Sequence, residues 1–191
     1  MGRFTKVKES TFQELQLDAG VLLNSFDPEN PSFDDSSIIC ATTGGINPVL
    51  SAEYSDQAED VDNAPNGMME FMKLDSWTPE MSFTALNITP ETIALSLGAA
   101  DVEGMKVTPR RNIKLTDFKE VWWVGDLSNG GFAAIHLLNA LSTGGFSLQT
   151  TKNGKGNLSV TLRGHVSINE QDRVPMEFYV GEPTDDDEIE P

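Results

Sequence analysis

"KEVWWVGDLSNGGFAAIHLLNALSTGGF", residues 119–146, decides how the chain folds. Two tryptophans stand side by side, and the run from Phe132 to Leu138 hardly alternates between apolar and polar. Successive side chains of a strand point to opposite faces, so Trp122 and Trp123 on one strand give a sheet a large aromatic on each side. Ala133 to Leu141 is rich in Ala and Leu and could be helix on propensity. Glycine pairs flank it at both ends and strand-like runs lie on either side, so its first part reads as strand.

Working outward, "LSVTLR" alternates strictly: Leu158, Val160 and Leu162 face one way, Ser159, Thr161 and Arg163 the other. That is the pattern of a half-buried antiparallel strand. "SSIICAT", "INPVLSAEYS", the second half of "SWTPEMSFTALNI", and "VPMEFYV" also read as strands, with Pro48 marking an edge or an irregular start. Gly44-Gly45, Gly130-Gly131 and Gly144-Gly145 each precede an apolar run and read as hairpin turns. One short, buried helix is announced by Thr89 as N-cap, Pro90 in the first turn with Glu91, "TIALSL", and Gly98 as stop. "DVEGMKVTPRRN" reads as a loop. The expected fold is mainly β: an antiparallel sandwich or barrel-like protomer of about seven to nine strands with one short α-helix and extended loops or arms. Residues 1–35 are expected to be an arm and loop, 36–181 the β domain, and 182–191 a disordered acidic tail.

The chain has 191 residues, enough for one domain with a real core. No apolar stretch approaches the roughly 20 residues of a transmembrane helix, and "MGRFTKVKESTFQELQLDAG" has no secretory h-region or cleavage site. No membrane insertion and no secretory passage are expected. Cys40 is the only cysteine, so no internal disulfide forms, and a buried thiol is its simplest reading. Thirty acidic against 13 basic side chains give −17. Six of the acids lie after Gly181, which leaves −11 on residues 1–181. Such a body does not grip nucleic acid, because that affinity comes from Lys and Arg releasing condensed counterions.

Catalytic and ligand-binding patterns each give way to a plainer reading. His136 and His165 are the only histidines and have no metal-ligand spacing around them, and no G-x-S-x-G elbow accompanies them. No phosphate-binding glycine loop joins a strand to a helix. The run Asp56, Glu59, Asp60, Asp62, Asn63 lacks a calcium loop's alternating oxygens, central glycine and closing glutamate, and reads as a solvated acidic loop. No cofactor or metal is called for, and no enzyme activity is expected. What remains is apolar surface. A tryptophan buries roughly 150–250 Å², worth at most about 4–6 kcal/mol at roughly 25 cal/mol per Å². The helix after Thr89 could cover one of the two; the second face along Phe132 to Leu138 needs either a second sheet or a partner subunit.

The segments "FQELQLDAGVLLNSFDP", "ATTGGI", "AEYSDQAEDVDNAPNGMMEFMKLDSW", "GAADV", "TDFKEVWWVGD", "NGGFAAIHLLNALSTGGFSLQT" and "GKGNLSVTLRGHVSINEQDRVPMEFYV" together resemble, in order, the tail tube (major tail) proteins of long-tailed bacteriophages and prophages. The resemblance runs from about Thr11 to Val180, and its specificity lies in the collinear set, since each piece is a packing or turn pattern. It implies a β-sandwich protomer related in architecture to the type VI secretion tube protein. It implies homohexameric rings whose inner sheets join into one barrel, and stacking of the rings into a tube that conducts double-stranded DNA without binding it specifically. Further implied are other tail proteins at the tube ends, synthesis in the host cytoplasm, and a final place in the virion tail. The acidic body fits such a conduit, since a basic lumen would hold the passing polyanion.

On this reading Trp122, Trp123, Phe132, Ile135 and Leu137 are the subunit-interface candidates, with one tryptophan in the protomer core and the other against the helix or a neighbour. Asp56, Glu59, Asp60, Asp62, Ser147, Gln149, Ser159 and Thr161 are candidates for lining the channel. The loop acids have a competing role, contact with Arg110, Arg111 or Lys114 of a neighbouring ring. Two other readings stand beside this one: a monomeric β-sandwich module that binds a ligand or carbohydrate, and a hydrolase using His136 or His165.

Overall fold

A computed structural model describes residues 7–182. Within them lie ten strands and one α-helix in the order β1 (Gln16–Leu23), β2 (Thr42–Asp56), β3 (Met72–Ala85), α1 (Pro90–Leu97), β4 (Ala100–Glu103), β5 (Lys106–Pro109), β6 (Lys119–Leu127), β7 (Phe132–Ser142), β8 (Ser147–Gln149), β9 (Asn157–Arg163) and β10 (Met176–Gly181). Every named pairing is antiparallel. The chain is mainly β with one helix, and the strands form an open path, β1-β6-β7-β9-β3-β2, not a closed barrel. None of the described helices is long and apolar enough to cross a membrane.

β7 is the joint of the sandwich. Its first part, Phe132–Leu137, pairs with β6 and β10; its end, Leu141–Ser142, pairs with β9. Asn139 sits at the change-over with φ +47°, a conformation that Asn tolerates better than most residues. Its side-chain amide donates to the His165 carbonyl (3.0 Å), which fixes the bend. One sheet is therefore β1-β6-β7-β10, and the other is the end of β7 with β8, β9, β3 and β2. Between them lies the main core: Leu22, Val121, Leu137 and Met176 from the first sheet against Met81, Phe83, Leu158, Val160 and Leu162 from the second. The strict alternation at Leu158–Leu162 is realised, with Leu158, Val160 and Leu162 buried.

Several expectations are corrected. Gln16–Leu23, read as part of an arm, is a strand on β6, and a bulge between Leu17 and Val21 re-aims it. "DVEGMKVTPRRN", read as a loop, is the β4–β5 hairpin: Val102 faces Val107 across the pair and Gly104 takes φ +60° at the turn. "SSIICAT" is not a strand; it touches β1 through the Leu23–Ile38 bridge and the Ile39 N–H to the Leu22 carbonyl. Of the three glycine pairs, only Gly130-Gly131 makes a hairpin turn. Gly44-Gly45 form a bulge inside β2, where Thr43 pairs with Thr84 and Ile46 with Phe83. Gly144-Gly145 interrupt a continuous line in which β7 and then β8 both pair with β9. Glycine-glycine supplies positive φ equally to turns and bulges, and only the partner strand decides between them. Pro48 lies on β2, an edge strand.

The helix follows its capping signals. Thr89 Oγ1 accepts from the Thr92 N–H and Thr92 Oγ1 accepts from the Thr89 N–H (3.2 and 2.9 Å), a reciprocal cap, and Gly98 closes the helix. Its most buried residues are the polar Thr92 and Ser96, whose hydroxyls are satisfied by the Asn87 and Ile93 carbonyls. The helix covers neither tryptophan. It lies against the end of β7, where Ser142 Oγ donates to the Ser96 carbonyl. The tail expected to be disordered lies, from residue 183 on, outside the described residues.

Candidate functional site

The two tryptophans sit in different environments. Trp122 faces away from the main core into a second cluster with Leu23, Val124 and Ala134, covered by Phe26, Phe132 and Tyr179 of the same chain. His136 stacks on its indole with ring centroids 3.8 Å apart and planes 9° apart. Two carboxylates flank that stack: His136 Nε2 donates to Glu120 Oε2 (2.6 Å), and Nδ1 lies 3.6 Å from Glu177 Oε2. Glu177 also accepts from the Tyr179 hydroxyl (2.7 Å) and from Arg173 (2.6 Å). Burial acts to raise the Glu177 carboxyl, but Tyr179, Arg173 and His136 overcome it and hold the group below the usual range. His165 stacks edge-on with Phe118, and its Nδ1 lies 3.3 Å from the Asn139 carbonyl. His165 thus sits at the change-over in β7, and His136 within the first sheet between β6 and β10. Cys40 is buried, and its thiol is pushed up to about 11 by that burial.

Trp123 lies on the core side of β6, half-buried, with its Nε1 donating to the Ala19 carbonyl of the β1 bulge (2.9 Å). It marks where the core opens. Toward its outer end the core face of the first sheet carries Trp123 and Ile135, both partly buried, and then Phe178 and Val180 of β10, 59% and 80% exposed. Among the five interface candidates, Trp123 and Ile135 reach this open face. Trp122, Phe132 and Leu137 are packed inside the chain: Leu137 is fully buried, and Phe132 meets Phe26 edge to face.

The second sheet does the same on a larger scale. β3 pairs with β9 only over Glu80–Ala85, whereas β2 pairs with β3 out to Asp56 and Met72. The outer half is therefore a two-stranded ribbon, and it is amphipathic. Its core-side face continues through the pairs Leu50–Pro79, Ala52–Trp77 and Tyr54–Leu74. Asp75 is the extra residue of a bulge, which keeps Leu74 on the side of Trp77 although three positions separate them. Tyr54, Leu74, Trp77 and Met72 are 37–60% exposed. On the other face Ser76 Oγ donates to Glu53 and Lys73 pairs with Asp75. A two-stranded ribbon is marginally stable by itself, and contiguous exposed apolar surface of this kind is uncommon on a monomer.

The channel-lining candidates separate into two places. Ser147 and Ser159 are ladder partners, and Thr161 pairs with Ser82, on the outer face of the second sheet. With Gln149, Thr84 and Thr78 they make a broad hydroxyl-rich surface. Asp56, Glu59, Asp60 and Asp62 lie instead at the tip of the β2–β3 ribbon. Asp56 organises that tip, accepting from the Gly67 and Ala58 N–H groups (2.7 and 2.8 Å), which hold it below the ordinary carboxylate range. Glu59, Asp60 and Asp62 are exposed.

At the opposite end, α1, the β4–β5 hairpin and residues 114–121 enclose an open groove of about 900 Å³ floored by Ile39, Leu95 and Val121. Arg110 braces it, contacting Asp117 and lying 2.9 Å from Asp101. The Asp101 oxygen is off the direction of the Nε–H, so that contact is Coulombic and not a hydrogen bond. Burial acts to raise the Asp117 carboxyl, and the Lys114 N–H and Arg110 outweigh it, leaving the group lowered. Arg110 is thus committed within its own chain.

Sequence reading missed Trp77, Tyr54, Leu74 and Phe178. The first three were hidden by the bulge, which breaks the alternation of "MKLDSW". The chain matches no protein family and no curated protein. Among solved structures, a chain of the "Virion of native gene transfer agent (GTA) particle" is similar with a TM-score of 0.43 and 10% identity, covering 84% of this chain and 95% of that chain. At that level of likeness it bears on neither fold nor function.

Proposed function

We propose that this chain is a structural, self-assembling subunit of the phage tail tube type, forming stacked rings around a channel for double-stranded DNA. The observation that carries the reading is that both sheets extend their core faces beyond the region where they cover each other. Trp123, Ile135, Phe178 and Val180 on one, and Trp77, Tyr54 and Leu74 on the other, are left for partners to cover. A monomer that leaves such surface bare is prone to associate, and copies of the same chain are the simplest cover. The collinear resemblance of Thr11 to Val180 to tail tube proteins names the kind of assembly. The acidic body and the hydroxyl face of Ser147, Ser159 and Thr161 supply a lumen that lets a polyanion slide.

Sedimentation velocity over a range of protein concentrations tests the reading. Growth from monomer to discrete higher species is expected. A chain that stays monomeric at every concentration, with Trp77 still open to solvent quenchers, overturns it.

A further inference from the structure

The acidic and basic side chains of this molecule are segregated along its length. The ribbon end, residues 53–75, carries seven carboxylates against Lys73 alone, a net of −6. Residues 101–120, beside the groove, carry Lys106, Arg110, Arg111, Lys114 and Lys119 against Asp101, Glu103, Asp117 and Glu120, a net of +1 in a chain of −17. The two regions lie at opposite ends: β3 starts at the ribbon tip, runs 14 residues, about 45 Å at 3.2–3.4 Å each, and ends at Ala85, with four residues between it and α1. Arg110 and Lys114 are paired within the chain, with Asp101 and Asp117, and three members of each set are left over. Among the described residues no carboxylate lies within salt-bridge reach of Lys106, Arg111 or Lys119, and no cation within reach of Glu59, Asp60 or Asp62. Each charged set also adjoins exposed apolar surface: Trp77, Tyr54 and Leu74 on the ribbon, Ile38, Val102 and Leu115 around the groove.

We infer that the ribbon end of one copy docks at the groove end of the next, with Glu59, Asp60 and Asp62 set against Lys106, Arg111 and Lys119. The inference rests on the self-assembly reading and names its contact. Because the two surfaces differ, the contact is head-to-tail, and such contacts propagate into rings or filaments where a two-fold contact would stop at a dimer. Complementary charge fixes the register and speeds encounter, and the apolar strip beside it excludes water. Arg110 takes no part, being held by Asp101 and Asp117.

Two triple variants test this: Glu59→Lys/Asp60→Lys/Asp62→Lys, and Lys106→Glu/Arg111→Glu/Lys119→Glu. All six positions are exposed, so both variants keep the parent's circular dichroism and thermal midpoint within a few degrees. Each alone needs at least about tenfold more protein to assemble in physiological salt, since like charges now meet. Mixed in equal amounts they assemble again as an alternating copolymer, because each reversed end meets an opposite one. Variants that assemble like the parent, or a folded mixture that does not assemble, overturn the contact and leave self-assembly standing. A parent chain that never assembles overturns both.

Discussion

The imidazole of His136 lies flat on the indole of Trp122, 3.8 Å between ring centroids, and is clamped there by Glu120 on β6 and Glu177 on β10. Three neighbouring strands are thereby tied on the face turned away from the main core. The arrangement places Trp122 in the chain's own interior.

Trp122→Ala should accordingly damage folding itself. A buried Trp truncated to Ala costs about 3–5 kcal/mol, and the stacked ring adds to the loss. Urea denaturation of the unassembled chain measures it; a loss below about 1 kcal/mol would contradict the packing described.

Trp77 behaves in the opposite way. Trp77→Ser together with Tyr54→Ser removes exposed ribbon surface, and the unassembled chain should change in stability by no more than about 0.5 kcal/mol per site. Higher species should vanish from sedimentation profiles of the same double variant.

Much of this was legible in the sequence and some was not. The strand at Trp122, the β7 strand, the alternation at Leu158–Leu162 and the Thr89 cap each follow from a local rule that tertiary packing did not override. The bulges at Gly44-Gly45 and Asp75 were not legible, since an inserted residue is defined by the partner strand and leaves no mark in its own. The cover that two of the interface candidates find within the chain was hidden for a related reason. Trp122 and Phe132 looked in need of a partner, and their cover, Phe26, Tyr179 and His136, comes from positions that composition cannot connect.

Gly20 has φ +69° in the β1 bulge, and a Cβ there would stand 2.5 Å from the Val124 carbonyl and 2.6 Å from Trp123 Nε1. Gly20→Ala is therefore expected to cost about 1–3 kcal/mol through overpacking and backbone strain together. Breaking the Trp123–Ala19 hydrogen bond should also move the tryptophan fluorescence. An unchanged spectrum and denaturation midpoint would show that the bulge does not hold Trp123.

Acid should unfold the chain through its paired carboxylates. Glu177 and Asp117 are both lowered in the fold, each against its own burial: Glu177 by Tyr179, Arg173 and His136, Asp117 by the Lys114 N–H and Arg110. A carboxyl lowered on folding stabilises the fold above its unfolded value, about 4.3 for Glu and 3.9 for Asp, and loses that contribution as pH falls through the folded value. Stability should be flat near neutrality and fall from about pH 4.5 downward. Glu177→Gln should shallow that fall, and a variant that titrates identically to the parent would remove Glu177 from the account.

Electron microscopy of the purified chain, concentrated in physiological salt, tests the central claim most directly. The account predicts hollow tubes with a regular ring repeat in which the Trp77 and Phe178 surfaces are both covered by neighbouring copies. Fields of isolated particles of single-chain size, with both surfaces open at every concentration, would contradict it.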